Sequence, residues 1–318
     1  DGSVANRRII AERDNYDGSW SGEVRLVKEW IGVSVNHRLI VGDSLTGPFW
    51  EKLLTRPSKP KEPLEGVFSK GLAAKFTKAL HEAIRYVHDL GLLDERMMVI
   101  HAIWIDDADI RLLADSGCTV AHNPVCNLRL GSGVMPWRAL RDAGVPLCLG
   151  TDEMNTDDTT NLWLAAKTAS LLQTLVSPDD RDWPRAAEFL KAATRGGARA
   201  VRRGHELGRL EPGALADLIL LDLDTHAFTP LNDLTRQLVF CEDGSSVRTT
   251  IVHGRVVFED GRLTTVDERA LRAAARALAA GHAAQRAEAV RQAALLEPAW
   301  RAMLARAGAT PVSVERRL

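Results

Sequence analysis

Three short apolar runs in the middle of the chain each lead into residues able to do chemistry. The run 97–100 precedes His101, 119–121 precedes His122 and Asn123, and 146–151 precedes Asp152. Between them, 106–115 and 134–142 carry apolar positions at helical spacing, so 97–152 reads as strand–helix–strand–helix–strand. Functional groups at successive strand ends, with helices as the crossovers, are how a parallel α/β barrel presents a site at its C-terminal face. Upstream, Leu72, Phe76, Leu80, Ile84 and Val87 recur at helical spacing over 70–90, and Gly91 supplies the stop. Downstream, 161–175 predicts an amphipathic helix and 183–202 one or two more, rich in alanine and arginine.

The two ends of the chain have a different character. Segments 23–28 and 31–35 predict strands, and the Pro- and Lys-rich stretch 55–66 predicts a surface loop. After Gly204 comes a turn-rich segment, 208–213, and then 216–221 as a buried strand. Strands over 247–252 and 255–259 flank His253-Gly254, which is hairpin chemistry. The Ala/Arg/Glu-rich stretch 267–307 predicts helices packed on the outside. The expected fold class is therefore α/β, with a TIM-type (β/α)8 barrel portion over 1–204, a small β module over 205–264 and C-terminal helices over 265–318 packed on the barrel.

Composition narrows the function classes. A net charge of −1 gives no general pull toward nucleic acid or an acidic membrane, and the cluster of basic residues over 195–203 reads as a solvated helix surface. No apolar run is long enough to cross a bilayer. Cys118, Cys126, Cys148 and Cys241 lack CxxC spacing and read as reduced thiols of a cytoplasmic protein.

The runs His101-Ala-Ile-Trp-Ile-Asp-Asp-Ala-Asp, Val120-Ala-His-Asn-Pro-Val-Cys-Asn127-Leu-Arg-Leu-Gly-Ser-Gly133 and Leu149-Gly-Thr-Asp152 follow one another in an order that resembles the amidohydrolase superfamily. The branch it is most similar to contains S-adenosylhomocysteine, guanine-type and 8-oxoguanine deaminases and the triazine chlorohydrolases. The segment 208–221 resembles the return of that family's chain from barrel to sandwich. The resemblance implies one divalent metal, zinc ahead of iron, activating water against a ring carbon that bears an amino group. It makes Asp152 the metal ligand and proton shuttle, since a carboxylate can ligate through one oxygen and take a proton on the other. It makes His101 the group that steadies the water or developing charge, so His101 and Asp152 are the catalytic candidates. His122, Asn123, Glu153 and Trp104 are the substrate-binding candidates. Each has a plainer reading: Asp152 as a turn or N-cap residue, His101 as a core histidine, Asn123 as the organiser of a turn before proline, Trp104 as packing. Asn127 is expected to anchor the loop running to Gly131. Cys126, where the family's motif has serine, is expected to be a small packing residue.

The family's first-strand His-x-His is found nowhere among the nine histidines, and no histidine is followed three residues later by glutamate. His37 lies in a plausible region without that glutamate, and His81 and His88 fall on a predicted helix. The first half of the barrel would lie upstream of Asp1, within 35–75, or on a partner chain. Two readings follow. The chain is an amidohydrolase deaminating a cyclic amidine-like heterocycle, cytoplasmic and assembled as a homodimer or larger. Alternatively, it is a non-catalytic or partner-dependent homologue without the metal site.

Overall fold

The computed structural model describes residues 32–34, 83–157, 159–308 and 314–316. Within these residues the apolar runs become strands β1 (Gly32–Ser34), β2 (Met98–Ile100), β3 (Thr119–His122) and β4 (Leu147–Leu149). They lie side by side in the order β1-β2-β3-β4, all parallel. Ala121 sits opposite both Ile100 and Cys148, so the three C-terminal strand ends are level. The predicted strand at 31–35 is present as β1; the segments 23–28 and 55–66, with His37 and His81, lie outside the described residues.

Helices α1 (Ala83–Asp89), α2 (Asp107–Ser116), α3 (Pro124–Arg129) and α4 (Trp137–Asp142) fill the connections. The start of α2 is dictated locally. Asp106 accepts hydrogen bonds from the backbone N–H groups of Ala108 and Asp109, and the Asp109 carboxylate accepts the Asp106 N–H. Gly117, at φ 68°, ends it. Arg85 of α1 pairs with Asp106 at 2.5 Å and locks the two helices together. Asn127, expected to anchor a loop running to Gly131, sits instead within α3, which Pro124 opens at a first-turn position where its missing N–H is no loss.

Past β4 come α5 (Met154–Asp157), α6 (Leu162–Val176), α7 (Ala186–Lys191) and α8 (Gly197–Ala200), the last two joined through a π-helical turn over Ala192–Gly196. Gly196 lies so close to the Leu147 carbonyl that a Cβ there would overlap it. The π turn therefore rests directly on the strand leading to Asp152. The core beneath the sheet is built from Val99, Leu113, Val120, Leu140 and Phe189, all essentially unexposed, with the Trp137 and Phe189 rings 4.7 Å apart.

After residue 204 the chain forms β5 (Leu218–Leu221), α9 (Leu234–Phe240), β6 (Val247–Val252), β7 (Arg255–Glu259) and β8 (Arg262–Leu263), the strands antiparallel in that order. The β6–β7 hairpin is where the pattern places it. The strand at 216–221 is not buried as expected: Ile219 and Leu220 are exposed, and among the described residues β5 pairs only with β6. Among the described residues this is a single sheet, not two packed sheets. The tail is helical, as α10 (Glu268–Gly281) and α11 (Ala283–Gly308). Among the described residues its two helices show little buried surface. No residue of α10 is buried, and Leu271, Leu278, Val290, Leu295 and Leu296 are exposed. Among the described residues no helix is long and apolar enough to cross a membrane.

Candidate active site at the strand ends

Where β2 ends, the chain turns sharply: His101 and Ala102 have φ of 71° and 45°, and Asp152, just past β4, has φ 65°. Each left-handed non-glycine residue costs on the order of 1–3 kcal/mol and persists only where its surroundings hold it. The His101 N–H donates to Ala121 O at 2.9 Å and the Gly150 N–H to His122 O at 3.0 Å, extending the sheet ladder into both turns. At Gly150 a Cβ would meet Asn123 Oδ1, so a larger residue there would displace the Asn123 amide.

These turns bring His101 and Asp152 together. The His101 ring is buried, and its Nδ1–H donates to Asn127 Oδ1 at 2.7 Å. In the neutral ring that bond leaves the lone pair on Nε2, which faces Asp152 Oδ2 at 3.1 Å. Two acceptors this close are mutually repulsive unless a proton or a cation lies between them. The carboxylate has further partners: the Glu153 N–H donates to Oδ1 at 2.7 Å, and Asn123 Nδ2 to Oδ2 at 3.3 Å. Burial raises the Asp152 pKa, but the Cys126 thiol, the Glu153 N–H, the positive charge available on His101 and the Asn123 amide outweigh it. They hold the carboxyl below its ordinary value, so it is ionised at neutral pH. The converse holds for Cys126, whose thiol is pushed up to about 12 by burial and by its bond to Asp152.

A divalent metal fits these donors. An imidazole nitrogen of His101, the Cys126 sulfur and an Asp152 oxygen all lie within 4.8 Å of one another. Nitrogen, sulfur and carboxylate oxygen form a donor set that zinc or iron accepts.

The other expected residues separate. Asn123 belongs to the cluster through Asp152. His122 is fully buried with its ring 5.9 Å from that of Trp137, and neither of its nitrogens has a partner among the described residues. Burial, reinforced by the charge of His101, pushes its pKa down to about 3, so it is neutral. Glu153 is exposed and reaches the site through its backbone N–H. Trp104 is half-buried and donates from Nε1 to Ser132 O at 2.8 Å. His88 lies on α1, half-exposed beside Asp89 and away from the cluster.

Cys126 and Asn127, given only structural roles by the sequence reading as a packing residue and a loop anchor, join the site. Their signal was available: Pro124 at a helix start puts 123, 126 and 127 on one face of α3. That face holds Asp152 through Asn123 and Cys126, and His101 through Asn127.

The chain is similar to several known proteins. Over 189 residues the chain is 38% identical to a 5-methylthioadenosine/S-adenosylhomocysteine deaminase of Natronomonas pharaonis, covering 59% of this chain and 43% of the relative. A zinc-bound adenosine deaminase from Xanthomonas campestris superposes with a TM-score of 0.59 at 34% identity, over 61% of this chain and 44% of the other. A zinc complex of atrazine chlorohydrolase from Arthrobacter aurescens gives a TM-score of 0.61 at 29% identity, over 66% and 47%. The chain thus spans less than half the length of the curated relatives it matches. The sequence pattern of the amidohydrolase family matches residues 51–257, and with the strand-end residues placed as above, the chain belongs to that family.

Proposed function

We propose that the chain is the C-terminal part of a TIM-type barrel hydrolase, followed by a sandwich segment, that deaminates a small heterocycle bearing a cyclic amidine. The single observation that carries this reading is the approach of His101 Nε2 to Asp152 Oδ2 at level strand ends. The deaminases among the relatives support an adenine-type ring as substrate, and the zinc-bound neighbours support a divalent metal.

In this reading Asp152 holds the metal, with Cys126 and His101 in reach. When bound, the metal lowers the pKa of water so that hydroxide is available near neutrality. Asp152, ionised and fixed by Glu153 N–H, takes a proton from the attacking water on a carboxylate oxygen. It then passes that proton to the departing nitrogen. The water oxygen forms the new bond to the ring carbon, the carbon–nitrogen bond breaks, and ammonia leaves. His101, aimed by Asn127, steadies the charge that develops on the ring. The unpartnered nitrogens of His122 are available to bind substrate or water, and Asn123 orders the pocket floor through Asp152. Glu153 and Trp104 stand at its edge.

The test is ammonia release from 5′-methylthioadenosine, S-adenosylhomocysteine and adenosine, with metal content measured on protein purified without chelators. About one equivalent of metal is expected. Asp152→Asn should lower turnover by at least ~10³-fold with an unchanged unfolding midpoint, because asparagine cannot accept the proton. Wild-type-like turnover in that variant would overturn the mechanism. The absence of any His-x-His favours a second reading, a partner-dependent or non-catalytic homologue. That reading predicts neither stoichiometric metal nor ammonia from the chain alone.

A further inference from the structure

Arg316 is more than two hundred residues from His101 in sequence and is bonded to the loop that leaves it. Its Nε donates to Ile103 O at 3.1 Å and its Nη2 to Ile105 O at 2.8 Å. The Arg316 carbonyl in turn accepts the Val134 N–H at 2.7 Å. Gly133, at φ 109°, lies against the same carbonyl, where a Cβ would stand 2.7 Å from the oxygen and 3.1 Å from Ile103 Cγ2. One residue thus clips the loop after β2 to the loop after α3. The guanidinium is half-buried, and that burial pushes its pKa down against the opposing charge of Asp107.

The clipped loop is the strained one. His101 and Ala102 are consecutive left-handed residues, a conformation held only by its surroundings. Trp104 bonds this loop to Ser132, and Ile103 and Ile105 are wholly buried, but their carbonyls are held by the Arg316 fork. The two loops that Arg316 joins are also the ones leading from His101 and from Asn127, whose side chains are bonded to each other.

We propose that Arg316 is a positioning residue for His101, its fork holding the 101–105 loop in the conformation that aims the imidazole at Asp152. The proposal rests on the reading of His101 and Asp152 as the reacting pair. A planar guanidinium can serve two carbonyls at once, whereas a lysine ammonium is a point charge that cannot reproduce the fork.

The experiment uses the full chain with Arg316→Ala and Arg316→Lys. Backbone amide exchange and the His101 Nδ1–H proton resonance are measured alongside kcat and KM for ammonia release. Arg316→Ala should speed exchange over 101–106 tenfold or more while β3 and β4 stay protected. It should also broaden or shift the His101 proton and lower kcat tenfold or more, with KM changed less than threefold. Added millimolar guanidinium should restore part of kcat, and Arg316→Lys should lie between. Unchanged exchange over 101–106, or faster exchange spread evenly over the sheet, would overturn the proposal. If the wild type releases no ammonia, the deaminase reading fails by itself. The exchange and the His101 resonance then still decide whether Arg316 fixes the loop. If Arg316→Ala does not fold, Arg316→Lys carries the same readouts.

Discussion

His122 shows how burial converts an ionisable residue into a neutral one with a pH signature. Its ring is wholly enclosed and its pKa is pushed down to about 3, against an ordinary value near 6.5. The unfolded chain therefore takes up this proton first as pH falls. The stabilisation is complete above about pH 6.5 and is lost progressively toward pH 3, at about 1.4 kcal/mol per unit. Between pH 6.5 and 5 that amounts to about 2 kcal/mol from this residue alone. His122→Phe removes both the proton and two unpartnered nitrogens, so its urea-unfolding free energy should fall less over that range. Equal pH slopes for variant and wild type would show that the neutral imidazole is not the cause. The role of Asn127 is of another kind: it does not titrate, and it determines which ring nitrogen of His101 carries the proton.

At the scale of elements, two adjacent glycines should respond in opposite directions. Gly196 closes the π turn against the Leu147 carbonyl, a backbone atom that cannot rotate away, whereas Gly197 has open space where its Cβ would stand. Both have helical dihedrals. Gly196→Ala should destabilise by about 1–3 kcal/mol through overpacking against β4, and Gly197→Ala should stabilise by about 0.5–1 kcal/mol through helix propensity. Denaturant midpoints of the two variants check this directly, and a neutral Gly196→Ala would mean that the π turn does not bear on β4. Element identity was largely readable here. The strand runs, the α2 cap and the β6–β7 hairpin are written in local patterns of apolar alternation, capping carboxylates and a His-Gly turn. The π turn was not, because it is set by the contact of Gly196 with Leu147, a strand residue far back in the chain.

For the whole molecule, thiol chemistry reports how much of the chain is closed. Cys118, Cys126 and Cys148 are buried and Cys241 is exposed. Burial pushes the three up to about 11, 12 and 12 respectively, for Cys126 with the added effect of Asp152. Titration with a disulfide reagent at pH 8 should label one thiol rapidly and the other three only under unfolding conditions. Rapid labelling of Cys126 in the native protein would show that the strand-end cluster opens.

The sequence by itself determined the strand–helix alternation, the residues standing at the strand ends and the family they belong to. All of these depend on short-range periodicity and on motif order along the chain. The tertiary structure decided which groups meet. Asn127 and His101 are 26 residues apart, Asn123 and Asp152 are 29, and Arg316 is 213 from Ile103. It also decided burial: a run such as 216–221 reads as interior because it is apolar, yet among the described residues it pairs only with β6 and Leu220 is exposed. Hydrophobicity specifies that a surface would gain by being covered, and only packing determines what covers it.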